Sequence, residues 1–160
     1  GFERDHSGGG GGGHVGGGYH QVAAAARHFG LDGEPLVRQT LADLYIHHRV
    51  AQFTNRRAAA RLKAGQTPGP EGSLGKLMWT ANMTRVSSAI STILGARLVA
   101  DTGEWGTYAW GEHVLGAPGY RIAGGSDEVM RNIVGERVLG LPKDLGIDSV
   151  SPFRDIKVSK

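Results

Sequence analysis

The stretch RIAGGSDEVMRNIVGERVLGLP, residues 121–142, contains a complete helix and the signals for both of its ends. Ser126 is a good N-cap, because its hydroxyl can accept a hydrogen bond from a backbone N–H of the first turn. Asp127 and Glu128 place negative charge at the positive end of the helix dipole. Gly140 can take the left-handed conformation that stops a helix. Apolar residues recur between these ends at helical spacing, at Val129, Met130, Ile133, Val134 and Val138.

A glycine pair, Gly124 and Gly125, stands directly before the N-cap. Backbone N–H groups at a helix N-terminus form a ready site for a phosphate or another electron-rich group. The spacing alone favours a simpler interpretation, in which the two glycines are only a turn that leads into a capped helix.

The identities of these residues are a more specific signal of protein family than their spacing. IAGGSDEVMRNIVGERVLGLP closely resembles the C-terminal signature of the acyl-CoA dehydrogenase family, in which a Gly-Gly-Thr/Ser-Asp-Glu turn opens a helix that ends in Glu-Arg-x-Leu-Gly-Leu-Pro. The match extends over about twenty residues, and it resembles the actinobacterial fatty-acyl-CoA dehydrogenases in particular. The resemblance implies an all-α fold, an up-and-down four-helix-type bundle with a shorter final helix, over residues 1–142. A C-terminal tail, residues 143–160, would follow.

Composition narrows the function. A chain of 160 residues is one domain with room for a core, and the lack of cysteine excludes disulfides and thiolate metal sites. The seven histidines have no metal-ligand spacing, so no metal site is predicted. A net charge of +3, spread along the chain, argues against nucleic acid. No membrane span or signal peptide is visible, which favours a cytoplasmic location. Because the chain starts without methionine, we interpret it as a fragment or a processed chain.

The first two helices follow from apolar spacing and from their end signals. Six consecutive glycines at 8–13 indicate a flexible linker by composition, whereas the resemblance implies the start of a helix that is secure from about Val15. Its apolar stripe is Tyr19, Val22, Ala23, Ala26 and Phe29, and Gly30 ends it. Pro35 suits the first position of the second helix. The seam of that helix is Val37, Leu41, Leu44, His48, Ala51, Asn55, Ala58 and Leu62.

A loop at residues 65–72, GQTPGPEG, separates the second helix from the third. Ser73 is predicted to cap the third helix, and Met78 and Trp79 to belong to the core. One face of this helix carries Leu74, Leu77, Met78, Ala81, Arg85, Ser88, Thr92 and Ala96. Residues 101–118 are predicted as a long loop, with three aromatic residues packed beneath it, Trp105, Tyr108 and Trp110.

The resemblance also implies a bound FAD. Residues 26–30, ARHFG, are similar to the family's Arg-x-Phe-Gly element, whose arginine reaches the FAD pyrophosphate of a neighbouring subunit. Here that arginine is Arg27, with Phe29 beside it. Arg27 could also simply complement the dipole of the first helix, and the two roles are compatible. At the signature turn the expected FAD-binding residues are Gly124, Gly125, Ser126 and Glu128.

The family removes a proton from Cα of an acyl thioester with a carboxylate base, while a hydride passes from Cβ to the flavin. In much of the family this base is a glutamate at the position of Gly124, which has no side chain. The isovaleryl and long-chain types instead use the glutamate of a Glu-Arg pair at the start of the first long helix, here Glu3 and Arg4. Our hypothesis is that Glu3 is the base and that Arg4 orients or neutralises it. The alternative is ordinary capping chemistry.

The resemblance implies an acyl-CoA substrate, self-association into a dimer or tetramer, and an electron-transfer flavoprotein as acceptor. The family's N-terminal and middle domains are absent, so the chain alone is expected not to turn over substrate. A competing hypothesis is a non-catalytic oligomerisation module or partner subunit. An unrelated four-helix binding protein would require the signature match to be chance. The sequence does not distinguish between straight-chain, branched and steroid side-chain acyl-CoA thioesters as the substrate.

Overall fold

The computed structural model describes residues 18–66, 69, 71–100, 102–104, 107, 109–143, 152 and 154. Glu3, Arg4, Trp105 and Tyr108, the glycine run at 8–13 and most of the predicted tail lie outside these residues. The described part is helical, without a strand, which confirms the all-α prediction. Its helices are α1 (Tyr19–His28), α2 (Pro35–Lys63), α3 (Glu71–Leu94), α4 (Ala109–Tyr120) and α5 (Asp127–Arg137), and a 3-10 turn (Gly95–Val99) follows α3. None of these helices is both long enough and apolar enough to cross a membrane.

Helix α3 is the central element, because it contacts each of the other four helices. It runs antiparallel to α2, since Asp43 of α2 contacts Arg85 of α3 while the later Asn55 lies beside the earlier Gly75. A short connection between two long helices produces this arrangement. The pair forms the up-and-down hairpin on which α1, α4 and α5 pack.

The core lies where α1, α2, α3 and α4 meet. The predicted stripe of α1 is confirmed, because Val22, Ala23 and Ala26 are buried. Pro35 begins α2 as predicted, and the first half of the predicted seam is covered. The seam opens toward the C-terminal end of α2, where Leu62 is half exposed. The core cluster consists of Val22, Ala25, Ala26, Val37, Leu44, Val86, Ala89, Ile90, Ile93, Leu94 and Trp110.

The predicted buried face of α3 is wrong in its second half. Ser88 and Thr92 are exposed, and each hydroxyl donates to the carbonyl four residues earlier, at 3.2 and 3.0 Å. Small polar side chains inside a helix commonly face solvent or bond back to this carbonyl, so their position along the stripe does not indicate burial. The helix also begins at Glu71, so Ser73 lies inside it and is not its cap. The residues that α3 buries are Thr80, Met83, Val86, Ala89, Ile90, Ile93 and Leu94.

Helix α4 was not predicted from the sequence. It occupies most of the segment, residues 101–118, that was predicted to be a loop. Its glycines and Pro118 disfavour a helix by local propensity. Burial of Trp110 outweighs this low helix propensity, because the burial of one tryptophan removes a large apolar area from water. Trp110 is 2% exposed and belongs to the core, so it does not lie under a loop. Trp79, predicted to be core, is 48% exposed and makes an edge-to-face contact with Tyr120 instead.

Candidate functional site

Helix α5 has the ends that the sequence predicted. Ser126 is its N-cap, and the Ser126 hydroxyl accepts a hydrogen bond from the backbone N–H of Val129 at 3.4 Å. The helix ends at Arg137, and Gly140 has a left-handed φ of 68°. The apolar stripe of α5 is covered only in part, since Val129 remains 49% exposed. The stripe therefore leaves apolar surface for another element to cover.

The glycine pair before α5 has the backbone that only glycine adopts without strain. Gly124 has a φ of 66° and Gly125 a φ of 100°. A Cβ on Gly125 would lie 2.5 Å from the methyl carbon of Met130. A Cβ on Gly124 would meet no described atom within 4 Å. Gly125 is thus packed against its own helix, while the Gly124 side of the turn is open space that a ligand could fill.

The first N–H groups of α5 are satisfied within the chain. The Asp127 N–H donates to the carbonyl of Arg121 at 3.0 Å, and the Met130 N–H to the carbonyl of Ser126 at 2.9 Å. The Glu128 carboxylate accepts from its own backbone N–H and from the Ser126 hydroxyl, which lower the pKa of Glu128 in that order. The helix N-terminus is therefore already occupied by groups of this chain, and a ligand would contact the turn from the Gly124 side.

A buried carboxylate anchors the signature turn to α3. Asp127, which is 5% exposed, accepts a hydrogen bond from the Thr80 hydroxyl at 3.1 Å and from Arg121 Nε at 2.7 Å. The bond from Arg121 is the main reason that the pKa of Asp127 is lowered. One turn earlier on α3, the Lys76 ammonium donates to the carbonyl of Gly125. These two contacts hold the turn against the first half of α3.

The sequence interpretation missed Lys76, Thr80 and Arg121. Two signals for them were present. Lys76 and Thr80 are four residues apart, so they share one face of a helix. Arg121 and Asp127 are opposite charges on either side of a flexible glycine turn, a pattern that a closing ion pair would explain.

The other predicted cofactor residues, Arg27 and Phe29, lie at the end of α1. Arg27 is exposed, and Phe29 is half buried at the edge of the core. The guanidinium of Arg97 lies over the Phe29 ring, 5.0 Å from its centroid. Arg97 also forms an ion pair with Glu104, in which Nε of Arg97 lies 3.1 Å from Oε2 of Glu104. Arg97 was also missed, since no local motif marks it. The exposed guanidinium of Arg27 suits a pyrophosphate, which arginine can bind through two parallel hydrogen bonds.

The structure does not bring the two predicted sets together. Gly124, Gly125, Ser126 and Glu128 share one turn, which is tied to Lys76 of α3. Arg27 and Phe29 lie beside the 3-10 turn that follows the opposite end of α3. With a rise of about 1.5 Å per residue, α3 separates the two sets by roughly 25 Å.

An open groove of about 740 Å³ runs between α2, α3 and the start of α5. Its apolar lining includes Leu74, Leu77, Met78 and Ala81. Arg85 and Arg121 on its rim are paired with carboxylates, Arg85 with Asp43 at 3.5 Å and Arg121 with Asp127. The groove therefore offers a mainly apolar floor with a charge-balanced rim, which suits an apolar side chain or helix face.

Known proteins with similar sequences and folds agree with this architecture. Residues 2–139 match the family described as acyl-CoA dehydrogenase, C-terminal domain. The chain is 31% identical over 121 residues to acyl-CoA dehydrogenase IpdE1 of Mycolicibacterium smegmatis, a match that covers 75% of this chain and 29% of the relative.

Two solved structures share the fold. One is named Tcur3481-Tcur3483 steroid ACAD, and the other is a variant of the same protein. Their TM-scores are 0.69 and 0.68, at 23% and 24% identity, over 79% of this chain and 34% of theirs. The chain thus spans about a third of the length of these relatives. The family match extends over nearly all of the helical bundle, including the signature turn, and the chain belongs to the acyl-CoA dehydrogenase C-terminal domain family.

Proposed function

We propose that the chain is the C-terminal domain of a flavin-dependent acyl-CoA dehydrogenase, which removes hydrogen from the α and β carbons of an acyl-CoA thioester. The observation that carries this proposal is the signature turn, with left-handed glycines at 124 and 125 and a buried anchor at Asp127. FAD, when bound, accepts the hydride from Cβ. The chain's own residues would position the cofactor, join subunits and supply the base.

The two predicted FAD-binding sets would serve different FAD molecules. One flavin would contact the open side of Gly124, within the same subunit. Arg27, with Phe29 beside it, would extend to the pyrophosphate of a flavin held by a neighbouring subunit. The separation of roughly 25 Å along α3 supports this division. It requires self-association, as a dimer or tetramer, and the exposed apolar side chains on α2 are suited to such an interface. They are Leu36, Tyr45, Ile46, Val50, Phe53 and Leu62.

An FAD titration of the purified chain, followed by visible absorption with the oligomeric mass recorded, tests this assignment. We expect Arg27→Gln to weaken FAD binding by about tenfold, because it removes charge-assisted hydrogen bonds to a phosphate oxygen. Arg38→Gln, at an exposed arginine of α2, is the matched control and should leave the affinity unchanged. Equal losses in the two variants would contradict a specific role for Arg27. An oligomer that never binds flavin would support the alternative below.

Glu3 is the proposed base, with Arg4 beside it, because Gly124 has no side chain at the family's other base position. In the enzyme assembled with its other domains, Glu3→Gln is expected to lower turnover by about a hundredfold while FAD binding is retained. Glu112→Gln, at an exposed carboxylate on α4, is the control. Wild-type turnover in Glu3→Gln would eliminate this base.

The second candidate function is a non-catalytic oligomerisation module or partner subunit. One observation favours it, namely the glycine at 124 where a base is usual. This alternative predicts that the chain forms an oligomer, and that the enzyme assembled with it keeps its activity when Glu3 is changed to Gln.

The substrate is proposed to be a steroid-derived acyl-CoA, since the two solved structures of similar fold are of a protein named a steroid ACAD. Straight and branched acyl-CoA thioesters belong in the same assay as competitors. An electron-transfer flavoprotein is the proposed acceptor, and the cytoplasm the proposed location. A clear preference for straight chains would remove the steroid assignment without affecting the dehydrogenase assignment.

A further inference from the structure

One face of helix α3 contacts the signature turn at two points. Lys76 and Thr80 are four residues apart, so their side chains leave the same side of the helix. The Lys76 ammonium donates to the carbonyl of Gly125, and the Thr80 hydroxyl donates to the carboxylate of Asp127 at 3.1 Å. The two contacts act on different parts of the turn. Thr80 binds a side chain at the start of α5, whereas Lys76 binds the backbone between the glycine pair and the N-cap.

The backbone that Lys76 contacts is the least constrained part of this turn. Gly124 and Gly125 have no Cβ, so each has more backbone conformations of similar energy than another residue would have. In the part of the chain that the structure describes, the N–H groups of Gly124, Gly125 and Ser126 donate to no other group. The Gly125 carbonyl is therefore the point at which this chain holds the backbone of the glycine pair.

The contact also determines where the following N–H points. A peptide group is planar and trans, so the C=O of Gly125 and the N–H of Ser126 lie in one plane and point in opposite directions. Because Lys76 lies on the carbonyl side, the Ser126 N–H points away from the Lys76 ammonium. The same turn contains the open space beside Gly124, where a Cβ would meet no described atom within 4 Å.

The chemistry of this contact favours an effect on backbone order over an effect on overall stability. A hydrogen bond from a charged donor is about twice as strong as one from a neutral donor. Lys76 is half buried, so water competes less for its ammonium than at an exposed lysine. Fixing a lysine side chain also costs much rotamer entropy, which offsets part of the gain in the free energy of folding.

We propose that Lys76 is a positioning residue for the flavin contact of the signature turn. It holds the carbonyl of Gly125, and it thereby presents the Ser126 N–H and the Gly124 side of the turn to FAD in one fixed arrangement. This inference rests on the proposed FAD contact at Gly124. It adds to that site a residue from α3, which lies outside the signature and acts on the cofactor through the turn.

An FAD titration of the full chain, followed by visible absorption, tests this role. Lys76→Met keeps a long side chain without the charged donor, and we expect it to weaken FAD binding by about tenfold, because the turn would no longer be preorganised. Lys76→Arg keeps a charged donor and should recover most of the affinity. Lys63→Met is the matched control. It removes the same charge from an exposed position of α2 and should change the affinity by less than about twofold.

NMR relaxation of the backbone amides, measured without FAD, reports on the turn directly. We expect order parameters of about 0.85 at Gly125 and Ser126 in the wild type, and values below about 0.6 in Lys76→Met. Lys63→Met should keep the wild-type values. In urea, Lys76→Met should lose less stability than Asp127→Ala, because the freed lysine position regains rotamer entropy.

The outcomes separate a positioning role from a structural one. Unchanged order parameters in Lys76→Met would overturn the proposal, because Lys76 would then not hold the turn. A mobile turn with wild-type affinity for FAD would also overturn it, as would an equal loss of affinity in Lys63→Met. A wild-type chain that binds no FAD would contradict the proposed cofactor contact itself, and the positioning role with it. In that case a mobile turn in Lys76→Met would still show that Lys76 holds the glycine pair.

Discussion

Trp110→Ala is expected to lower the free energy of unfolding by about 3–5 kcal/mol, because it leaves a large cavity in a close-packed core. Trp110 is 2% exposed and belongs to the cluster that joins α4 to α1, α2 and α3. Its ring also makes an edge-to-face contact with His113 at a centroid distance of 5.6 Å. Loss of the side chain would remove these contacts and weaken the reason that a glycine-rich segment is helical.

Urea denaturation followed by far-UV circular dichroism measures this effect without depending on tryptophan fluorescence. Trp79→Ala is the control, because Trp79 is 48% exposed and should cost about 1 kcal/mol or less. Trp110→Phe should recover part of the loss by refilling the cavity. If Trp79→Ala were as costly as Trp110→Ala, the assignment of Trp110 to the core would be wrong.

Asp127→Ala is expected to lower the free energy of unfolding by about 2–3 kcal/mol. The substitution removes two hydrogen bonds to a buried carboxylate and leaves the Thr80 hydroxyl without this acceptor. The loss is limited because Arg121 is 45% exposed, so water can replace part of its interaction. Asn132→Ala, at an exposed position of the same helix, should have little effect in the same urea titration.

The pH dependence gives a second measurement of the same carboxylate. The pKa of Asp127 is lowered in the folded chain, chiefly by the hydrogen bond from Arg121. Its contribution to stability is therefore complete above the unfolded pKa and is lost as the pH falls through the folded pKa, below about pH 4. Asp127→Asn should lose less stability than the wild type over this acid range. A constant difference between the two proteins from pH 7 to pH 3 would contradict this role.

The predictions that were confirmed depend on interactions within a few residues of the chain. Ser126 caps α5, Pro35 begins α2, and Gly140 has a left-handed φ, as the sequence indicated. Each of these signals acts within one turn of backbone, so it can be read without knowledge of the fold. The stripe of α1 was also correct, because a short helix that packs on one side has only one face to bury.

The predictions that failed concern segments whose conformation depends on distant partners. Helix α4 forms despite its glycines because Trp110 packs in the core against α3. No local sequence pattern indicates that α3 leaves room for this side chain. The buried face of α3 was misassigned because this helix packs against four others, so its apolar residues do not form a single stripe. Helix propensity and spacing are weak guides where tertiary packing surrounds an element.

The amino-acid sequence by itself determined the family, the helical class, and the glycine turn that opens α5, because these depend on residue identity and local backbone preference. Only the tertiary structure decided how that turn is held. Thr80 reaches Asp127 and Lys76 reaches Gly125 across nearly fifty residues of sequence. It also placed Arg27 and Phe29 at the other end of α3 from the turn. These are meetings of side chains from different helices, which only the packing of the whole bundle creates.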